Sequence, residues 1–124
     1  MTTPTTEDWR PAAAAKAATL IFAGDAIFRH INVLSERIQH ESADLHRATE
    51  LLERHQLAAQ QFKAKPYDTE IDLVARHAAT VDTIKARRDA LIAQRDRVGR
   101  ENAEVIRLAQ AAKDLSRKFD LEAW

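Results

Sequence analysis

The sequence predicts an all-α protein, a long antiparallel two-helix hairpin resembling a coiled coil, and three observations carry that prediction. Apolar side chains recur in alternating steps of three and four along two stretches of about fifty residues. One interruption, Lys65-Pro66-Tyr67-Asp68, divides those stretches, and the only two glycines, Gly24 and Gly99, lie far from it. Alternating steps of three and four keep one row of side chains on one helix face, the pattern of a coiled-coil seam.

The whole chain, 1–124, reads as a single helical domain. Residues 1–8 are polar, carry Pro4 and have no periodicity, so they read as a flexible tail. Helix one is expected over about 9–64. Thr6 can cap it, Glu7 and Asp8 suit the positive end of its dipole, and Pro11 is tolerated in a first turn. Its seam runs Leu20, Gly24, Ile27, Ile31, Leu34, Ile38, Glu41, Leu45, Ala48, Leu52, His55, Ala59 and Phe62 without a slip. Pro66 lacks an N–H and biases Lys65 away from helical geometry, so a turn is expected at 65–68.

Helix two is expected over about 69–120. Thr69 as cap with Asp72 three residues on is a capping-box variant. Its seam reads Ile71, Val74, Ala78, Val81, Ile84, Arg88, Leu91, Arg95, Val98, Asn102, Val105, Ala109, Ala112, Ser116 and Phe119, with one short step at Val81 to Ile84. Gly24 and Gly99 are candidate kinks or close-contact points. Acid-first pairs four apart, expected to support the helices, are Asp25/Arg29, Glu50/Arg54, Asp72/Arg76, Asp96/Arg100 and Asp114/Lys118.

A short connection favours antiparallel neighbours. Folding the chain about Pro66 sets Phe62 opposite Ile71, Ala59 opposite Val74, Ile27 opposite Val105, and Trp9 near Trp124 at the open end. Glu41 falls between Arg88 and Arg95, a polar cluster that would set register rather than add stability. In size and hairpin form the chain is similar to small helical proteins of bacterial secretion systems. Where a WXG100 protein carries Trp-x-Gly at the turn, however, this chain has Lys65-Pro66-Tyr67-Asp68, and no family is assigned.

Apolar residues off the seam concentrate toward the open end. Phe22, Phe28, Val33, Ile106, Leu108 and Leu115, with Trp9 and Trp124, form the expected interaction surface. Two helices cannot cover so wide a stripe, and an uncovered one marks a binding site. Dimerisation into a four-helix bundle is the favoured solution, ahead of docking by another helical protein. The expected function is therefore a non-enzymatic protein-protein interaction module: scaffold, adaptor, assembly factor or chaperone.

Chemistry is sparse in this sequence. None of the five histidines follows a glutamate by three residues, so the Glu-x-x-His element of di-iron bundles is missing. His55 and His77 can approach across the hairpin, and Glu36/His40 and His46/Glu50 share a helix face. No catalytic residue, cofactor or metal ligand is assigned; a metal-binding bundle is the second alternative function. The first alternative is a nucleic-acid-associated protein using the basic window Lys85 to Arg100. That window has no interleaved aromatic residue, and the chain balances 19 basic against 19 acidic side chains, so nucleic acid is a disfavoured partner. The apolar run from Pro11 to Gly24 is shorter than the roughly 20 residues of a bilayer span, and no secretory signal is read at the start, so a cytoplasmic protein is expected. The alanine-rich composition, with Arg more frequent than Lys, points to a bacterial or phage origin.

Overall fold

The computed structural model describes residues 8–61 and 68–121, and among these the chain is all-α. Three helices form: α1 over Arg10–Gln61, α2 over Asp68–Glu101 and α3 over Ala103–Phe119, with α1 packing against both others. Of the expected turn at 65–68, residues 65–67 lie outside the described residues and Asp68 already begins α2; the tail through residue 7, Phe62 and Trp124 also lie outside them.

Helix α1 begins at a cap supplied by Asp8. Its Oδ1 accepts the backbone N–H of Arg10 at 3.0 Å, and the Arg10 guanidinium closes over the same carboxylate at 2.9 and 3.0 Å. Asp8, which the sequence offered for its charge at the positive end of the helix, thus also accepts a backbone N–H of the first turn, while Thr6 lies outside the described residues. The helix then runs unbroken through Gly24.

The second half is two helices rather than one. Asn102 leaves helical geometry at φ −110°, ψ 13°, although its N–H still donates to the Val98 carbonyl at 3.1 Å. Its side-chain Nδ2 donates to the same carbonyl at 2.8 Å. A short polar side chain bonding back to the carbonyl four residues earlier is the competition that bends or interrupts helices. The polar seam position thus satisfies its own amide locally, at the cost of helix continuity. Helix α3 ends at Asp120, which adopts the left-handed region at φ 52°, ψ 43° and donates its N–H to the Ser116 carbonyl. Asp tolerates that conformation better than most residues. The reversal returns Leu121 to the helix pair, where it is buried.

The chain packs as two units. One comprises the described residues up to Asn32 together with those from Arg97; the other is Val33–Asp96. In the first, Trp9 meets Phe119 edge-on, with ring centroids 5.4 Å apart, while Gly24 lies against Ala109, so α1 and α3 run antiparallel. Its buried residues are small: Ala17, Gly24, Ala109, Ala112 and Ser116, closed by Leu121. In the second unit, Glu41 meets Arg87 and His55 meets His77, again antiparallel, around buried Leu34, Ile38 and Ile84.

Every described α1 seam position named from the sequence is buried or half-buried. The same holds along α2 and α3 except at the two ends, Ile71 and Phe119, which are exposed. Leu34, at 1% exposure, is the one large side chain that is fully buried among the described residues. A helix pair has a line of contact rather than a volume, which is why so few side chains disappear from solvent.

Candidate functional site

The interaction residues expected from the sequence fall mainly on the first unit. There, Phe22 is 70% exposed, Trp9 52%, Phe28 45% and Leu115 42%, while Ile106 and Leu108 are half-buried. Val33 is exposed but belongs to the second unit. Trp124 lies outside the described residues, and the aromatic partner the structure gives Trp9 is Phe119.

Between α1 and α3 of this unit lie two shallow grooves. The first is lined by Ala13, Lys16, Ala17 and Leu20 on α1 and by Leu108, Ala111, Ala112 and Leu115 on α3. The second is lined by Pro11, Ala14, Ala15, Ala18 and Ile21 with Ser116 and Leu121. Phe22 stands one helical turn beyond Ala18, so it extends the row that walls the second groove. The grooves exist because alanine and Gly24 let the helices approach closely. The position a Cβ on Gly24 would take is 2.4 Å from the Ala109 Cβ. Asp25 and Lys113 tie the helices together across this contact, Nζ to Oδ1 at 3.2 Å.

That ion pair was not legible in the heptad pattern, which assigned Asp25 to Arg29. Other expected acid-first pairs also find different partners: Glu50 contacts His46 at 3.1 Å, Asp96 is 3.7 Å from Arg95, and Asp114 accepts from Gln110 at 3.1 Å. Exposed helical carboxylates have several cations within reach at nearly equal free energy, so spacing alone does not choose among them. Arg47 pairs with Asp44 and Arg107 with Glu104, both three apart. The hydrogen bond from Arg107 holds the Glu104 carboxyl below its ordinary range.

Glu41, Arg88 and Arg95 are all half-buried, as seam positions should be, but the structure does not bring them together as the sequence suggested. Glu41 Oε2 lies 3.5 Å from Arg87 Nη2, while Arg88 turns to Asp89 at 3.2 Å and Arg95 to Asp96 at 3.7 Å. Each arginine has an aspartate as its immediate chain neighbour, and taking it avoids desolvating a second charge on the seam. Glu41 Oε2 is itself cut off from solvent without a hydrogen bond, so Arg87 compensates its charge through proximity alone. Arg87, Arg88 and Arg95 of the basic window are thus engaged with carboxylates.

The sequence placed little apolar surface toward Pro66; the structure corrects this. Leu51, Leu57, Ile71 and Leu73 of the second unit are all exposed. His55 and His77 do meet, with rings stacked at 4.6 Å and 10° from parallel. Among the described residues no group of three or more metal-ligating side chains comes together. Near its N-terminus α1 also contains an 18-residue stretch whose length and composition suffice to cross a bilayer, 11% of it buried within the chain. The signal is weak, because core helices of soluble proteins and N-terminal signal sequences meet the same criterion. Comparison with family models, curated proteins and solved structures finds no match to the chain.

Proposed function

We propose that this chain is a non-enzymatic protein-interaction module, an adaptor, scaffold, assembly factor or chaperone, which binds a helical partner through the apolar surface of its α1/α3 unit. The observation that carries the reading is the contrast between what this unit buries and what it exposes. Apart from Leu121, the side chains it fully buries are alanine and serine around Gly24, and Leu20, Ile27 and Val105 are half-buried, whereas the large apolar Trp9, Phe22, Phe28 and Leu115 are exposed. Covering exposed apolar side chains of this size favours association, by about 25 cal/mol per Å² of apolar area removed from water. A second layer of helices covers such a stripe while meeting no unpaired backbone, since helical backbone groups are satisfied internally.

The grooves suit side chains of a helix better than a small molecule. The first has a volume of about 330 Å³, at the low end of ligand sites, and lacks the convergent polar groups that orient a ligand. The test is light scattering of the intact chain combined with fluorescence of an apolar dye. Either a mass above the 14.0 kDa of one chain or dye binding at the uncovered surface is expected. A chain that remains at 14.0 kDa and binds no dye contradicts the proposal.

A further inference from the structure

We infer that the stacked pair His55 and His77 makes the α1/α2 contact of the second unit acid-sensitive: the contact is closed while the imidazoles are uncharged and loosens when both carry a proton. The inference stands apart from the α1/α3 surface, since it concerns the Val33–Asp96 unit alone. Of the five histidines these two are half-buried on the seam, whereas His30, His40 and His46 are exposed. Their rings face each other across the helix pair, with centroids 4.6 Å apart and planes 10° from parallel. Uncharged aromatic rings attract at that separation. Two imidazolium rings held there are like charges in contact.

The surroundings supply no neutralising partner. Exposed His46 has Glu50 at 3.1 Å, but among the described residues no carboxylate makes an ion pair or hydrogen bond with His55 or His77. The positions three and four residues from His55 on α1 are leucine and alanine, and those around His77 on α2 are Leu73, Val74, Thr80 and Val81, so the side chains one turn away are uncharged. Within five residues of either ring the charged side chains are Glu50, Glu53 and Arg54 on α1, and Asp72, Arg76 and Asp82 on α2. Arg54 and Arg76 immediately precede the two histidines, so the charge adjacent in sequence is positive on both helices.

Histidine is the side chain that ordinarily changes charge between about pH 5 and 8, whereas carboxylates ordinarily do so near about pH 4. In an opened contact both rings accept protons independently; the closed contact accepts the second only against the first. The open form therefore binds more protons, so the closed contact is fully present on the alkaline side of the histidine window and weakens as pH falls through it. Two unit charges 4.6 Å apart repel enough to shift the opening equilibrium about 5-fold at the dielectric of water, and further on a half-buried seam. The same geometry disfavours a metal site, because a zinc ion needs both rings turned edge-on toward one point about 2.0 to 2.1 Å from each nitrogen, and rings stacked in parallel share no such point.

Amide exchange of the intact chain at low ionic strength, followed at half-buried Leu52 and Val81 and corrected for the intrinsic rate, tests the inference. The opening equilibrium there is expected to rise about 5-fold or more from pH 8 to pH 5. His77→Phe keeps a ring against His55 but takes no proton, and is expected to abolish the rise. His77→Gln is expected to do the same with a smaller side chain, which covers the case in which the larger ring disturbs the packing. His46→Phe, at an exposed position, is expected to keep the parent's rise. Equal exchange in the parent at the two pH values overturns the inference, as does a rise of parental size in both His77 variants or its loss in His46→Phe.

Discussion

Adding one methyl group to Gly24 should destabilise the protein, although the same substitution at Gly99 should stabilise it. Both glycines lie within helical segments, where alanine is favoured by about 1 kcal/mol. At Gly99 nothing lies within 4 Å of the new Cβ, so that gain is realised in full. At Gly24 the new Cβ falls 2.4 Å from the Ala109 Cβ, whereas carbon atoms in contact sit about 3.5 to 4.0 Å apart. Alanine has no rotamer to change, so the helices themselves must separate by more than about 1 Å. Overpacking costs about 1 to 3 kcal/mol, and a clash between two rigid Cβ groups belongs at the upper end. With about 1 kcal/mol regained from helix propensity, Gly24→Ala should lose about 2 kcal/mol net. For a chain of this length that corresponds to a fall in Tm of about 8 °C, against a rise of about 4 °C for Gly99→Ala. Thermal melts followed by far-UV circular dichroism measure both. Ala109→Gly should rescue Gly24→Ala almost fully, because it removes the opposing methyl and the two propensity changes offset each other. Equal stabilisation by both alanine substitutions, or an absence of rescue, refutes the close packing of α1 on α3.

Three further outcomes follow from the packing and the charges. Leu34→Ala, at the fully buried position, should cost about 3 kcal/mol in urea denaturation, while Leu57→Ala, largely exposed, should change stability by less than about 0.5 kcal/mol; similar effects at both would contradict the assigned core. Arg87→Ala should lower stability by about 1 kcal/mol by isolating Glu41, more than Arg88→Ala or Arg95→Ala, whereas Glu41→Met should be tolerated; the reverse ranking would restore the Arg88/Glu41/Arg95 cluster. The side-chain hydrogen bond from Arg10, followed by the one from its backbone N–H, holds the Asp8 carboxyl below the usual carboxylate range. The cap is therefore fully present above that range and is lost as pH falls through the lowered value, so amide exchange in the first turn of α1 should accelerate there. Exchange independent of pH after correction for the intrinsic rate, or unchanged in Asp8→Ala, would remove the cap from the account.

The seam was legible because burial in a helix pair depends almost wholly on position along a 3.5-residue repeat, and positions such as Leu34, Ile84 and Ala109 follow from spacing alone. Gly24 could be singled out as a contact point for the same reason, and His55 and His77 could be paired across it. Asn102 was legible as a polar seam residue, but not as a break. The heptad pattern continues through it, and the interruption shows only in its backbone angles and in the bond from its own amide to the Val98 carbonyl. Leu121 was overlooked because it follows the last periodic residue. The signal for it was Asp120, a residue able to take the left-handed conformation, followed immediately by an aliphatic side chain. The ion pairs were least legible, since Glu41 and Asp25 each had several cations within reach, and the choice of Arg87 and Lys113 depends on side-chain direction rather than spacing.

The interaction surface itself is tested most directly by replacing Phe22, Phe28 and Leu115 together with glutamate and measuring mass and dye binding on the same samples. All three side chains are exposed, so helicity by circular dichroism should match the parent chain. The parent is expected either to exceed 14.0 kDa or to bind the apolar dye, and the triple variant to do neither. A variant whose mass and dye fluorescence equal those of the parent contradicts the claim that this surface binds protein.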